Sequence, residues 1–400
     1  MAGEFNLMNN KLIFTGGTLI TPLRQIKADM AVENSKILKI GANLAAESGA
    51  KIIDCSGLYV GPGLVDIHVH GGAGCDFVTN DHQEIAKGAQ YHLSQGTTSI
   101  VPSAISVPFG QLGSSIDAAR KAAKNCDADI LGYHVEGIYL NPTYRGGHLL
   151  EHLRTPEPAD YMPLIEKHGD FIREWTLAPE LPGAIELILA CRKAGIVAAA
   201  GHTNASYEKM LEAIDAGLSH STHLICVMGS LLFEPLRGGT ARGYAPGVVE
   251  TVFLHDELTT EVIADGFHLH PALIKLAIKC KGIGNICLVS DSMKGVGLPD
   301  GEYVIGGQSC LVKGGIAIIK DRPEVIASSV TPLIGMLQFV HHTVNVSLAD
   351  AWMMASSIPA KVIGVDNAKG SLAPGKDADV LILRKDLSIH SVYSRGKKVI

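Results

Sequence analysis

The sequence predicts an α/β protein: a (β/α)8 barrel of the TIM type with a small β-sandwich domain formed from both chain termini. Three observations support this fold. Residues 61–365 alternate eight apolar strand-like runs with segments of helical periodicity. Short strand-like runs also occur near both ends of the chain. Finally, a chain of 400 residues that is 46% apolar and 18% charged is long enough for a large barrel with an attachment. An open, doubly wound sheet is the alternative.

The two ends of the chain share one sequence pattern, in which short strand-like runs are separated by glycine and polar turns. These runs are 11–14, 36–40 and 51–54 at one end, and 379–383, 389–393 and 397–400 at the other. The similarity predicts one small domain built from residues 6–60 and 366–400. The catalytic barrel domain, residues 61–365, would be inserted between these two segments.

The barrel elements follow in order along the chain. The strand-like runs are 64–69, 99–104, 130–135, 174–178, 196–200, 219–224, 260–263 and 285–290. Helical periodicity lies between most of them, for example at 112–123, 184–193, 206–216 and 271–281. Residues 225–250 fit no helix and contain several glycines and prolines, which predicts a long loop of the kind that is often functional.

Composition excludes several classes of partner. The net charge is −6 and the pI about 6.3, so neither nucleic acid nor an anionic membrane is expected as a partner. No apolar run approaches the roughly 20 residues that span a bilayer, and no signal peptide is expected. Eight cysteines occur without a CxxC pair, which favours reduced thiols in a cytoplasmic protein.

The first barrel strand contains the sharpest chemical signal. Asp66, His68 and His70 alternate along it and therefore point to one side. Two imidazoles one strand repeat apart can reach a single metal ion. Gly71 and Gly72 follow directly, which places both histidines at the carboxyl-terminal rim, where barrel active sites lie. A pair of ordinary polar residues at a strand end is the alternative.

Other strand ends add ligand-type side chains to the same rim. They are Glu136 after the third run, His202 after the fifth, His223 in the sixth, Asp265 and His268 after the seventh, and Asp291 after the eighth. An Asp after a strand is usually a helix cap, so no single position suffices. Together, these imidazoles and carboxylates are the ligand types of a divalent metal site that catalyses hydrolysis.

With these motifs in order, the sequence resembles the amidohydrolase superfamily and, within it, the N-acetylglucosamine-6-phosphate deacetylase family. The resemblance covers nearly the whole chain. The matching stretches are GPGLVDIHVHGG (61–72), GTTS (96–99), HVEGIYLNP (134–142), TLAPE (176–180), AGHTNA (200–205), THL (222–224), IADGFH (263–268), LVSDSM (288–293) and GSLAPGKDADVLIL (370–383).

The resemblance implies roles for the rim residues. Asp291 would be the catalytic proton shuttle, and His268 would contact the substrate near the scissile amide. The retained HxH pair favours two divalent metal ions per chain, which could be Zn, Fe, Mn or Co. The more buried ion would be held by His68, His70, Glu136 and Asp291, and the other by Glu136, His202 and His223. The substrate-binding set would comprise Gly147, His148, Cys226, Val227, Asp265, His268, Ser329, Arg237 and Arg242.

The implied reaction is hydrolysis of the N-acetyl amide of an amino sugar, N-acetylglucosamine-6-phosphate or a related N-acetylhexosamine, to acetate and the free amino sugar. A homodimer with residues 225–250 at the contact is also expected. Another amide hydrolase or deaminase of the superfamily is an alternative. Its two-metal members use a carbamylated lysine after the fourth strand, but residues 176–180 contain no lysine. A non-catalytic metal-binding barrel is the third possibility.

The chain departs from the family where the sugar phosphate is held. The family has an Asn-Ala pair after the sixth strand, and this chain has Ile225, Cys226 and Val227. A family arginine is absent from its usual stretch, although Arg237 and Arg242 lie nearby and either could replace it. Because phosphate is held by fixed cationic donors, the departure predicts reduced dependence on the 6-phosphate.

Overall fold

A computed structural model describes residues 11–22, 24–44, 49–235 and 241–400. Its centre is a ring of eight parallel strands in chain order: Leu64–Val69, Thr97–Ala104, Tyr133–Glu136, Ile172–Leu177, Val197–Ala200, His220–Ser221, Thr259–Ile263 and Ile286–Val289. Between the eighth and first strands, the Asp291 N–H donates to the His68 carbonyl and the His70 N–H to the Ser292 carbonyl, both at 2.9 Å. The (β/α)8 barrel is therefore confirmed, and the open-sheet alternative is wrong.

Two barrel strands differ from their predicted extent by more than two residues at one end. The third run is split: the short strand Asp129–Ile130 pairs only with the second strand, and Tyr133–Glu136 enters the barrel. The sixth strand keeps only His220–Ser221, because the His223 N–H donates to the Glu261 carboxylate instead of continuing the ladder. Periodicity along the sequence does not report where either pairing ends.

Helices cover the barrel from outside. Their bounds are His82–Ser94, Phe109–Ala122, Pro158–His168, Ala184–Ala194, Tyr207–Ala216, Val248–Leu254, Pro271–Lys281, Leu333–His342, Leu348–Met354 and Ser357–Val362. Ser206 caps one of them, since its Oγ accepts the Lys209 N–H at 3.3 Å. In the second helix Leu112, Ile116 and Ala119 are fully buried at helical spacing against the barrel. In the described ranges, no helix is both long enough and apolar enough to cross a bilayer.

The predicted long loop at 225–250 is partly wrong. Strands Leu232–Pro235 and Arg242–Ala245 form an antiparallel hairpin, and a helix begins at Val248. The connecting residues 236–240, which include the candidate phosphate contact Arg237, lie outside the described part of the chain.

A four-stranded antiparallel sheet follows the eighth barrel strand and was not predicted. Its strands are Gly301–Ile305, Gln308–Lys313, Ile316–Ile319 and Arg322–Ser329. Its first two turns are Gly-Gly pairs with positive φ, 51° and 84° at 306–307 and 61° and 89° at 314–315. Such turns match the twist of a hairpin, and glycine adopts them without a steric penalty. The last strand of this sheet reaches the mouth of the barrel.

The chain termini build two further sheets. The bounds of these strands are Leu12–Thr15, Thr18–Ile20, Gln25–Lys27, Asp29–Glu33, Lys36–Gly41, Lys51–Asp54, Tyr59–Pro62, Val380–Leu383, Ile389–Ser394 and Lys397–Lys398. Val380–Leu383 pairs antiparallel with Tyr59–Pro62, so both termini share one sheet. Phe14, Met30 and Val60 belong to an apolar core separate from that of the barrel. This confirms the small β unit, while the boundaries at 60/61 and 365/366 remain predictions and residues 6–10 lie outside the described chain.

Candidate active site

A cavity of about 310 Å³ opens at the carboxyl-terminal rim of the barrel. It brings together most of the predicted site residues: His70, Glu136, Gly147, His148, His202, His223, Cys226, Val227, His268 and Asp291. His68 lies immediately behind this surface and is fully buried. The short strands Gly71–Gly72 and Cys75–Asp76 follow the first barrel strand directly.

Three histidines are held in one tautomer by oxygen acceptors behind them. The Nδ1–H of His70 donates to the Ser103 carbonyl at 3.3 Å, and that of His202 to the Tyr144 carbonyl at 2.9 Å. A carbonyl oxygen can only accept, so each Nδ1 must carry the hydrogen. His68 Nδ1 likewise faces the Glu261 carboxylate at 2.8 Å. The Nε2 lone pair of each ring is therefore directed into the site, as in metal-ligating histidines.

The Nε2 atoms of these and a fourth histidine, His223, converge on two carboxylates. Glu136 Oε1 lies 3.0 Å from His223 Nε2 and 3.1 Å from His202 Nε2, while Glu136 Oε2 lies 3.3 Å from His70 Nε2. His70 Nε2 is also 3.1 Å from Asp291 Oδ1 and only 3.2 Å from His68 Nε2. Two acceptor nitrogens cannot bond to each other without a cation between them. The donor set therefore fits divalent metal, with Glu136 between the two groups of histidines.

Protons and metal ions compete for the same histidine Nε2 atoms. Burial would lower the pKa of His68, but Glu261, Glu136 and Asp291 outweigh it and hold that pKa well above its ordinary value. In the same way, Asp291 and Glu136 raise the pKa of His70 to about 9 despite burial. The imidazoles in turn hold the pKa of both carboxylates below the ordinary value although burial would raise it. Asp291 is thus an ionised carboxylate at neutral pH.

His148 has the opposite tautomer. Its Nδ1 accepts the Ser106 backbone N–H at 3.1 Å and lies 2.7 Å from Ser106 Oγ. Nε2 must then carry the hydrogen, and it faces Glu136 Oε2 at 3.5 Å. Burial lowers the pKa of His148 to about 4, so the ring is neutral. His148 is therefore placed as a hydrogen-bond donor at the cavity wall rather than as a metal ligand.

His268 is held by Asp265 at another side of the cavity. Its Nδ1 lies 2.7 Å from Asp265 Oδ2, and Asp265 Oδ1 accepts the backbone N–H groups of Phe267 and His268, both at 2.9 Å. Burial would raise the pKa of Asp265, but these bonds lower it. Asp265 is therefore a carboxylate that orients His268 and does not itself line the cavity.

A buried polar layer below the rim was missed from the sequence. Glu261 Oε2 accepts from both His68 Nδ1 and the His223 backbone N–H, at 2.8 and 3.2 Å, so one carboxylate positions two predicted ligands. Beside it lie Glu174 and His220, and neither the Glu174 oxygens nor His220 Nε2 make a hydrogen bond, although His134 Nε2 lies 3.8 Å from Glu174 Oε1. Burial, with Glu261 nearby, raises the pKa of Glu174 well above its ordinary value and so favours the neutral form of this carboxyl. The sequence feature that could have indicated this layer is an acidic residue within a strand-like run.

Several rim residues occupy strained backbone conformations. Ile138, Ile225 and Val227 have φ of 68°, 77° and 49°, a region that β-branched residues rarely adopt. Asp291 and His202 also lie there, at 44° and 49°. Such strain costs about 1–3 kcal/mol per residue and concentrates where function requires it.

The remaining predicted contacts are not brought to the cavity surface. Ser329 is fully buried, and its backbone bonds to Asp291 and Met293. Arg242 is exposed on the 232–245 hairpin and does not line the cavity. Arg237 lies outside the described residues.

Comparison with known proteins identifies the family. The model of the amidohydrolase family matches residues 59–399. N-acetylglucosamine-6-phosphate deacetylase from Bacillus subtilis (strain 168) is 34% identical over 340 residues, which cover 84% of this chain and 83% of that protein. N-acetylgalactosamine-6-phosphate deacetylase from Escherichia coli O157:H7 is 30% identical over 84% of this chain and 86% of that protein. The crystal structure of N-acetylglucosamine-6-phosphate deacetylase from Pasteurella multocida aligns with a TM-score of 0.89 at 26% identity, over 97% and 99% of the two chains. The chain therefore belongs to the amidohydrolase family and, within it, to the family of the N-acetylglucosamine-6-phosphate deacetylases.

Proposed function

We propose that the protein is a metal-dependent deacetylase. It hydrolyses the N-acetyl amide of an amino sugar, N-acetylglucosamine-6-phosphate or a related N-acetylhexosamine, to acetate and the free amino sugar. The observation that supports this best is the convergence of imidazole Nε2 atoms on Glu136 and the ionised Asp291 at the cavity. The names of the relatives support the same reaction.

Two divalent ions per chain fit the donor set. His68, His70, Glu136 and Asp291 would hold one, and Glu136, His202 and His223 the other. Mixed imidazole and carboxylate ligands suit Zn, Fe, Mn and Co. When bound, such an ion lowers the pKa of a water molecule and polarises a carbonyl oxygen.

The proton transfers belong to Asp291. As a carboxylate it accepts a proton from the attacking water while the water oxygen bonds to the acetyl carbon. It then delivers that proton to the amide nitrogen as the C–N bond breaks. An amine leaves readily only when it is protonated, so one carboxylate serves first as base and then as acid. The products, acetate and the free amine, account for all atoms of the amide and the water.

His268 and His148 contact the substrate and take no part in the proton transfers. His268, held by Asp265 through its Nδ1–H, lines the cavity and contacts the substrate near the scissile amide. His148 keeps its hydrogen on Nε2 because Ser106 occupies Nδ1, so it donates to an acceptor in the cavity. Gly147, Cys226 and Val227 form part of the wall around the sugar.

We also propose a homodimer in the cytoplasm. Leu231, Tyr244 and Leu254 are large side chains that are 58%, 76% and 64% exposed in and beside the 232–245 hairpin. Apolar area of this kind favours burial against a second copy. All eight cysteines are in the described chain and are free, which fits a reducing compartment. Light scattering of the purified protein tests the dimer: a monomer at micromolar concentration would contradict it.

The reaction is tested by acetate release. The protein is stripped with a chelator, reloaded separately with Zn, Fe(II), Mn or Co, and assayed on N-acetylglucosamine, N-acetylgalactosamine and their 6-phosphates. We expect stoichiometric acetate and amine from at least one sugar, dependent on metal. A cyclic amide and an aminopyrimidine serve as substrates for the rival hydrolase and deaminase reactions. Turnover of these alone, or metal binding without any turnover, would contradict the proposal.

A further inference from the structure

The backbone of Asp291 is held from two sides. Its N–H donates to the His68 carbonyl on the first barrel strand at 2.9 Å. Its carbonyl accepts two hydrogen bonds from the end of the strand Arg322–Ser329, one from the Ser329 N–H at 3.0 Å and one from Ser328 Oγ at 2.5 Å. This strand therefore fixes the peptide group on the carboxyl side of Asp291.

The conformation of Asp291 needs such support. Its φ is 44°, in the left-handed region that residues other than glycine adopt at a cost. A change of φ would move the carboxylate relative to His70 Nε2, which lies 3.1 Å from Asp291 Oδ1. The side chain of Ser328 is buried, so bulk water does not replace the bond that its hydroxyl makes. The hydroxyl of Ser328 therefore helps to keep Asp291 in place.

The strand Arg322–Ser329 meets the cavity along only part of its length. Residues 324–327 line the cavity, whereas Ser328 and Ser329 do not. Ser329 is bonded to the chain beyond Asp291 as well, because the Met293 N–H donates to its carbonyl at 3.0 Å. Ser328 is thus placed to affect Asp291 without contacting a sugar in the cavity.

We infer that Ser328 is a positioning residue for the proton transfers of Asp291: its hydroxyl, together with the Ser329 N–H, holds Asp291 in the conformation that presents the carboxylate to the cavity. This inference rests on the proposed deacetylase function. Proton transfer depends on close geometry, and a misplacement of about 1 Å can lower a rate by about 10²-fold. Ser328 acts through Asp291 and not through the substrate.

The first test measures acetate release by Ser328→Ala at saturating metal, from the acetylated sugar that the parent uses best. One neutral hydrogen bond is lost while the Ser329 N–H still holds the Asp291 carbonyl, so kcat should fall about 3–10-fold. KM should stay within twofold of the parent value, because Ser328 does not line the cavity. An unchanged kcat, or a change in KM alone, would overturn the inference.

Ser356→Ala is the matched control. Ser356 is buried, donates from Oγ to the Trp352 carbonyl at 2.6 Å and does not line the cavity. Its replacement removes a bond of the same kind elsewhere in the protein, so kcat should equal that of the parent. Equal losses of kcat in Ser328→Ala and Ser356→Ala would show a general structural effect and contradict the positioning role.

Two further variants connect the effect to Asp291. Ser328→Thr keeps the hydroxyl and should restore kcat to within twofold of the parent. In an Asp291→Asn background, Ser328→Ala should cause no further loss, because the residue through which it acts no longer transfers the proton. Losses that multiply in the double variant, or a Thr variant as slow as the Ala variant, would overturn the inference.

Hydrogen exchange tests the contact even if the protein hydrolyses no acetylated sugar, an outcome that would count against the deacetylase alone. In metal-loaded Ser328→Ala, the Ser329 and Asp291 amides should exchange at least threefold faster than in the parent. In Ser356→Ala they should exchange at the parental rate. Unchanged exchange at both amides in Ser328→Ala would show that the hydroxyl does not hold Asp291.

Discussion

Replacing Glu261 by Gln should weaken metal binding without unfolding the protein. Glu261 touches no part of the cavity surface, yet its Oε2 accepts from His68 Nδ1 at 2.8 Å and from the His223 backbone N–H at 3.2 Å. Both Glu261 and His68 are fully buried. Glutamine has the same shape and can still accept one bond, but it lacks the charge that favours the Nδ1–H tautomer of His68.

The size of the effect follows from the bond that changes. Hydrogen bonds with a charged partner contribute about 1.5–3 kcal/mol, and neutral ones about 0.5–1.5 kcal/mol. The difference, about 1–2 kcal/mol, corresponds to roughly 5–30-fold in an equilibrium constant. Loss of a carboxylate behind a ligating histidine typically weakens metal binding about 10–100-fold. We therefore expect metal to bind Glu261→Gln roughly tenfold more weakly.

The assay is a competition titration with a fluorescent zinc chelator on stripped protein, with circular dichroism to verify the fold. Glu174→Gln is the matched control, because Glu174 lies in the same buried layer with both oxygens unpartnered. It should bind metal as the parent does. Affinity of Glu261→Gln within twofold of the parent, or equal losses in both variants, would refute the positioning role.

Asp291→Asn should keep the fold and most of the metal while turnover falls by about 10²–10⁴-fold or more, since the group acts as base and as acid; turnover within tenfold of the parent would argue against the role. Elemental analysis should find close to two divalent ions per chain, and fewer in the double variant His68→Gln, His70→Asn. One ion in both proteins would show that the pair binds none. Burial raises the pKa of Glu174 in the folded protein, so the metal-free parent loses stability as the pH rises above the unfolded-state pKa of about 4.5. Because glutamine does not ionise, the free energy of unfolding of Glu174→Gln relative to that of the parent should increase over the same pH range. Free energies of unfolding from urea titrations should diverge by up to about 1.4 kcal/mol per pH unit, and a difference between the two proteins that does not change with pH would contradict the prediction.

Much of the site was accessible from strand periodicity. Alternation along 64–69 placed His68 and His70 on one side, and the carboxyl-terminal ends of successive parallel strands must meet at one rim. Whichever residues follow those strands, such as Glu136 and Asp291, are then brought together. That inference needs only the barrel topology and holds without any knowledge of side-chain contacts.

The polar layer beneath the rim was not accessible in this way. Glu174 and Glu261 lie within apolar strands, and the sequence does not reveal that their side chains meet inside the barrel. Likewise the order of charged groups in the 225–250 segment did not reveal the hairpin, because its two strands are only four residues each.

By itself, the sequence determined the barrel, the two-terminus β unit and the ligand types at the rim, since these follow from local periodicity and chain order. The tertiary structure alone decided which nitrogen of each histidine faces the site. That choice depends on distant oxygen acceptors: Glu261 for His68, the Ser103 carbonyl for His70 and the Tyr144 carbonyl for His202. It also decided that His148 donates rather than ligates, because the Ser106 N–H occupies its Nδ1. Hydrogen-bond partners far apart in the chain set these properties, and no local pattern encodes them.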